Sequence, residues 1–223
     1  MRTKSLILSA AVLAAGVASS MAANVYSVNV VGYVTLNLTN GFNMIANPLD
    51  AIGGGTGTGN TVANVFGVVP NNTTVYKFSG GTYSSDVYIT GIGWLGGGTA
   101  TFNPGEGLFV QIPNGIPGNS TNVTFAGTVV QGPTTHSLPT GFSIASSQAP
   151  ISGALTANLG YQPHNNDTVY PWNPASQSYP VSYVYITGLG WLPSDPILNV
   201  GQSVFIQNNG GSPNVWTNTF TVN

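Results

Sequence analysis

Hydrophobic and polar residues alternate along the first part of the chain. Tyr26, Val28, Val30, Val34, Leu36 and Leu38 share one parity, and Ser27, Asn29, Thr35 and Asn37 the other. A period of two marks a strand with one buried face, bent or bulged at Gly32. Asn40-Gly41 follows as a turn, and Phe42-Asn43-Met44-Ile45-Ala46 reads as a second strand before Asn47-Pro48, which predicts a hairpin. Further short apolar runs recur between turn signals. They lie at Val75–Phe78, around Tyr88, at Gly107–Ile112, at Thr121–Val130, and again at Val169–Trp172, around Tyr185, at Ser203–Gln207 and at Val215–Val222. Thr61–Gly67 reads as one helical turn or an extended connection, as does its later counterpart Leu155–Gly160. Pro171 has no N–H to give a ladder, so its strand is expected at a sheet edge. Strands this short and this evenly spaced predict an all-β protein of sandwich or barrel-like units.

The order of these runs repeats. Gly41-Phe42 returns as Gly141-Phe142, and Thr74-Val75-Tyr76 as Thr168-Val169-Tyr170. Tyr88-Ile89-Thr90-Gly91-Ile92-Gly93-Trp94-Leu95 returns as Tyr185-Ile186-Thr187-Gly188-Leu189-Gly190-Trp191-Leu192. Asn103-Pro104-Gly105-Glu106-Gly107-Leu108-Phe109-Val110-Gln111 returns as Asn199-Val200-Gly201-Gln202-Ser203-Val204-Phe205-Ile206-Gln207. The offset stays between 94 (Thr74 to Thr168) and 100 (Gly41 to Gly141), the pattern of one module duplicated in tandem. The boundary falls at Gln131-Gly132-Pro133, giving modules at 24–130 and 131–223 that touch across a short connection.

The first 23 residues read as an export signal. Arg2 and Lys4 precede an apolar run, Leu6–Ala18, and small residues at Ser20–Ala23 offer a cleavage site. No later run is long and apolar enough for a membrane helix, so no transmembrane anchor is expected after cleavage. Beyond the signal, Lys77 is the only Lys or Arg, set against Asp50, Asp86, Glu106, Asp167 and Asp195. One cation cannot displace the counterions of a nucleic acid, which excludes that class of partner. With only 4% charged residues, little repulsion opposes self-association. There is no cysteine, so stability rests on burying strand faces rather than on disulfides.

Gly41-Phe42-Asn43-Met44-Ile45-Ala46-Asn47-Pro48, then Thr74–Phe78, then Pro104-Gly105-Glu106-Gly107-Leu108-Phe109-Val110, resembles the Gly-Trp-Asn-Leu-Ile…Pro…Val-Tyr…Pro-Gly-x-Gly-Tyr/Trp-Val pattern of β-modules in exported bacterial and archaeal surface proteins. The opening Val25–Val34 is similar to the start of an uncharacterised group of secreted proteins from environmental bacteria. The resemblance covers nearly all of the mature chain and implies export and a β fold, with no activity attached. The second copy departs from it at Ser143–Gln148 and at Val200–Ser203.

Candidate chemistry is thin. Glu106 is the sole glutamate and sits in a turn, where it serves as a cap. The two histidines, His136 and His164, lack a partner set for a triad or zinc site. Asn165-Asn166-Asp167 is better read as an Asx-rich turn than as a calcium loop. The Gly53–Asn60 loop lacks the Gly-Lys-Ser/Thr of a phosphate cradle. No catalytic residue, cofactor or metal is expected. The candidate contacts with a glycan or partner are Tyr88 and Trp94 with Tyr185 and Trp191, in the two glycine-flanked Trp loops. The competing reading folds each Trp back as a lid on its own module. The expected function is a secreted or cell-surface structural or adhesive protein that self-assembles or binds other surface proteins. In one form, the Val25–Val34 strand of one subunit pairs with the Phe220–Asn223 end of another. The alternative is a pair of polysaccharide-binding modules.

Overall fold

The computed structural model describes residues 30–51 and 59–222. The expected export signal, the start of the first strand (24–29) and most of the glycine-rich loop lie outside the described residues. Among the described residues, nearly every regular element is a strand. In the first half these are β1 (Val31–Thr39), β2 (Gly41–Ala46), β3 (Asp50–Ala51), β4 (Thr74–Ser79), β5 (Thr82–Ile89), β6 (Gly93–Trp94), β7 (Gly107–Ile112) and β8 (Ser120–Thr128). The second half holds β9 (Gly132–Leu138), β10 (Gly141–Ala145), β11 (Gly153–Ala154), β12 (Thr168–Pro171), β13 (Tyr183–Ile186), β14 (Gly190–Leu192), β15 (Ile197–Leu198), β16 (Val204–Asn208) and β17 (Asn214–Phe220). One short helix, α1 (Val62–Phe66), starts at Thr61, whose hydroxyl accepts from the Asn64 N–H, and ends at Gly67. The matching Leu155–Gly160 stretch forms turns instead.

The strands form open antiparallel sheets, so the fold is sandwich-like rather than barrel-like. In the first half, β1-β8-β3 faces the five-stranded sheet β2-β7-β4-β5-β6. In the second, β9-β17 faces β10-β16-β12-β13-β14, with β11-β15 alongside. Each strand of the second five-stranded sheet stands where its sequence counterpart stands in the first. The period of two in β1 is realised: Leu38 is buried and Val34 and Leu36 pack on the core, while Tyr33, Thr35 and Asn37 face out.

Two expectations need correction. Residues 31–46 are not a hairpin. β1 pairs with β8 and β2 with β7, so Asn40-Gly41 is a corner where the chain passes between sheets. The buried Asn43 side chain builds that corner, accepting from the Thr39 N–H at 3.0 Å and donating to the Thr39 carbonyl at 2.7 Å. These are the bonds a facing strand would otherwise make. β12 is not an edge strand either, because it lies between β16 and β13. Pro171 sits at its last residue, where only β16 remains paired, and the β12–β13 ladder has already stopped at Val169. Its missing N–H therefore costs no interior ladder bond.

Successive strand residues point to opposite faces, and both faces of the large sheets are apolar. Inward, Leu108, Val110 and Ile112 of β7 fill the first core, as Val204 and Ile206 of β16 fill the second. Outward, Phe42, Met44, Tyr76, Phe78 and Phe109 meet Ile144, Trp172 and Phe205 in a third cluster between the halves. The halves also exchange backbone bonds reciprocally. The Ala46 N–H donates to the Gly201 carbonyl at 2.8 Å, and the Ser146 N–H to the Gly105 carbonyl at 2.9 Å. Isolated bridges join Ile45 to Gln202 and Ala145 to Glu106 in the same sense. At the centre, matched positions Gly107 and Ser203 touch, and the Ser203 hydroxyl donates to the Ile45 carbonyl at 2.9 Å. Over their described parts the strands proposed for exchange are each paired within the chain on one side, Val31 opposite Thr128 and Phe220 opposite Gly132.

A Cβ on Gly107 would lie 2.4 Å from the Ile144 Cγ2 and 2.7 Å from the Ser203 Cβ. Gly107→Ala is therefore expected to destabilise the protein by about 1–3 kcal/mol through overpacking, read as a lower urea midpoint. A midpoint equal to the parent's would show that the halves do not approach this closely.

Candidate binding clefts between the two halves

Of the four residues expected to contact a ligand, Tyr88, Trp94 and Trp191 are buried and Tyr185 is partly exposed. Trp94 and Trp191 are 9% and 7% exposed, each capping its own core. Trp94 packs edge-on against Tyr88 at 5.5 Å and beside Phe66 at 6.0 Å. Trp191 packs against Tyr185 at 5.4 Å and donates its Nε1–H to the Thr156 hydroxyl at 2.7 Å. The glycines around them, several at positive φ, turn the chain back over the sheet end. What these loops present outward is Ile92 and Leu189, not an indole face.

The carboxylates serve as loop pins. Asp86 accepts from the Gly96 and Gly98 N–H groups, and Asp195 from those of Thr156 and Ala157. Asp50 accepts from the Asn60 amide. Asp167 is fully buried and, among the described residues, has no cation beside it. It accepts from the Tyr161 hydroxyl at 3.0 Å, the His164 N–H at 2.8 Å, the Asn209 N–H at 2.9 Å and the Asn214 amide. Burial and the neighbouring Asp167 charge push the Tyr161 phenol up, so it stays a donor. Asn165 spends its side-chain oxygen on the Thr187 N–H. Among the described residues, no three His, Cys, Asp or Glu side chains gather as a metal set would.

Glu106 caps its own turn by accepting from the Asn103 N–H at 2.7 Å, and pairs with Lys77 at 2.8 Å. In the second half Gln202 caps the equivalent turn, accepting from the Asn199 N–H at 3.1 Å, and Pro171 replaces the lysine. The capping bond is kept while both charges disappear together. His136, the counterpart of Leu36, lies against the first turn, with Gly105 beside its Nδ1. Burial pushes its pKa below the ordinary 6.5, with Glu106 opposing and Lys77 adding to the shift.

The surface that gathers exposed rings is the junction of the halves. Phe78 stands edge-on to Phe205 at 5.1 Å, and its counterpart Trp172 edge-on to Phe109 at 5.2 Å. Phe42 and Phe142 each lie 5.9 Å from the Phe of the neighbouring strand, Phe109 and Phe205. Tyr83 packs on Phe78 at 5.0 Å and Tyr179 on Trp172 at 4.9 Å. A clamp holds the arrangement: Trp172 donates its Nε1–H to the Phe42 carbonyl at 2.8 Å, and Gln177 both accepts from the Phe42 N–H and donates to the Phe42 carbonyl.

Two open clefts result, the smaller floored by rings of the first half and walled by Trp172, the larger floored by rings of the second half and walled by Phe78 and Tyr83. One, about 420 Å³, is lined by Phe42, Tyr76, Tyr83, Phe109 and Trp172. The other, about 610 Å³, is lined by Phe78, Gly81, Tyr83, Phe142, Tyr170, Tyr179 and Phe205. Both volumes fall in the range of small-ligand sites, about 300–1,000 Å³. Neither lining holds a charged side chain. A Tyr–Gln pair borders each: Tyr76 donates to Gln111 at 2.9 Å and Tyr170 to Gln207 at 3.1 Å. Tyr83 is 49% exposed, Phe142 47% and Tyr179 39%. Burial of the ring bodies pushes the phenols of Tyr83 and Tyr179 up, and the repulsion that ionising both would bring adds to the shift at Tyr179, so both remain protonated donors. Residue-by-residue reading passed over these rings. The available signal was the recurrence of an aromatic at matched outward positions (Phe42/Phe142, Tyr76/Tyr170, Phe78/Trp172, Phe109/Phe205) on strands that are apolar on both parities.

No protein-family model, curated protein or solved structure matches the chain.

A histidine held neutral by burial binds its proton less readily folded than unfolded. Stability is therefore lost as pH falls through about 6.5. His136→Leu, which installs the residue of the first half, is expected to remove this loss, at most about 1.4 kcal/mol per pH unit. Urea titrations between about pH 8 and pH 5 check it. A variant that loses stability as steeply as the parent would acquit His136.

Proposed function

We propose that the protein is an exported, non-catalytic surface protein with a structural or adhesive role, built by tandem duplication of one sandwich-like module. The observation that carries this reading is how the charged groups are spent. Each of the five carboxylates beyond residue 23 holds a loop amide, hydroxyl or backbone N–H, and Lys77 is tied to Glu106 and Thr101. General acid–base chemistry needs a carboxylate or imidazole free to meet a substrate proton; here the carboxylates are committed to loop architecture, the His164 ring meets the Asn208 side chain, and the Nδ1 of His136 is buried. Duplication is supported by the matching strand orders and by the reciprocal bonds of Ala46 and Ser146. Export is supported by the residue pattern of the first 23 positions.

The neutral exterior suits a protein that packs into a layer or matrix. The outer face of β1–β8 carries Thr35 bonded to Thr124 at 2.9 Å and Asn37 bonded to Asn122 at 2.9 Å, a polar surface without charge repulsion. The second reading, polysaccharide binding, draws on the aromatic clefts rather than on the Trp loops.

Fractionation of cells expressing the full chain is expected to recover the processed protein at the cell surface or in the medium. Cytosolic retention of the unprocessed chain would reject export. In the strand-exchange form, removing residues 24–30 leaves β1 whole but converts sedimenting assemblies to monomers. Unchanged sedimentation would remove that form while leaving the surface role standing.

A further inference from the structure

We propose that the twin clefts at the junction of the halves bind a neutral polysaccharide, each taking pyranose rings against its aromatic floor. The inference rests on the surface-protein reading and gives its adhesive role a ligand class.

The argument starts from what the clefts offer. A pyranose presents apolar C–H groups on its faces and hydroxyls around its edge. Its natural receptor is a flat ring with hydrogen-bonding groups at the margin. Each cleft has that layout. Tyr83, shared by both linings, is half-exposed, and so are Phe142 and Tyr179 at the larger cleft. At the borders, Gln111 and Gln207 accept a tyrosine hydroxyl through Oε1, which leaves their NH₂ groups directed elsewhere. Among the described residues neither NH₂ group donates to the protein, and the hydroxyls of Tyr83 and Tyr179 have no protein partner. Donors without protein partners beside apolar floors match hydroxyl-rich ligands better than lipid chains, which would leave them unpaired.

Charge narrows the class. An anionic glycan would meet no cation in either lining, because the nearest, Lys77, is already paired with Glu106. A cationic partner would find no carboxylate there. A neutral polymer loses nothing on either count. The open form of the clefts, and the presence of Tyr83 in both linings, suit a chain that continues beyond a single ring.

The test is affinity electrophoresis of the full chain in gels containing laminarin, hydroxyethyl cellulose or dextran, with polygalacturonate as the charged control. At least one neutral polymer is expected to retard the protein. The double variant Tyr83→Ala/Tyr179→Ala should weaken that retardation at least tenfold with the thermal midpoint unchanged. Gln111→Ala/Gln207→Ala, which leaves every ring in place, should weaken it several-fold. Ile92→Ala/Leu189→Ala, in the remote Trp loops, should bind as the parent does. Absence of retardation by all three neutral polymers, retardation by polygalacturonate alone, or undiminished binding in the tyrosine variant would overturn the proposal. A parent dimer that the tyrosine variant splits, with no polymer bound, would also overturn it by making the clefts a contact between copies. Those results leave the surface role to be judged by cell fractionation, so the two readings fail separately.

Discussion

A β-sheet whose strands are apolar on both faces must be covered twice, and this requirement organises the molecule. The smaller sheets cover one face of each five-stranded sheet. The other face, carrying Phe42, Met44, Tyr76 and Phe109 in the first half and Ile144 and Phe205 in the second, has only the opposite half to cover it. Burying this surface supplies the drive for the halves to associate. The backbone bonds of Ala46 and Ser146 then set their register. Because matched positions meet across the junction, the centre is crowded by a residue and its own counterpart. Two side chains would compete for that space, and the pair Gly107 and Ser203 resolves it by omitting one.

The same logic explains how so few charges suffice. A carboxylate in water is well solvated, so tying it to a loop is most favourable where several donors converge. Asp167 meets that condition with four donors around one buried group, and Asp86 and Asp195 with two N–H groups each. Where one donor has to be held, an amide does as well. Gln202 caps its turn as Glu106 does, without needing a lysine.

Much of the fold was legible in the residues, and the failures have identifiable causes. Alternation in β1, the turn glycines and the repeated strand order depend on local geometry, which sequence encodes directly. The corner at Asn40-Gly41 resembled a hairpin because both begin with a glycine turn between strands. What separates them is the side chain of Asn43, which satisfies the corner locally and frees β1 and β2 to join different sheets. Pro171 suggested an edge because its effect on pairing was assigned to the whole strand, whereas the loss is confined to the strand's last residue. The Trp loops drew notice because an indole is large and rare. Their flanking glycines bend the chain inward, and burial of the ring outweighs its display. The clefts were invisible for a different reason: each is made from two halves, and no run of residues contains one.

Tyr83 and Tyr179 bear most directly on what the junction does. They do not occupy matched sequence positions. Tyr83 follows Phe78 by five residues within a regular β4–β5 ladder, while Tyr179 follows Trp172 by seven, after an irregular loop. Their rings nevertheless stand alike, 5.0 Å from Phe78 and 4.9 Å from Trp172, and 6.4 Å and 6.2 Å from Phe109 and Phe205. The proposed duplication of one module would account for the rings at matched positions, but not for two tyrosines reached by different backbone routes. Nor does core packing require them, since both are among the exposed large hydrophobic residues. A half-exposed phenol held at the same place by unlike loops is what the proposed binding role of the clefts would require.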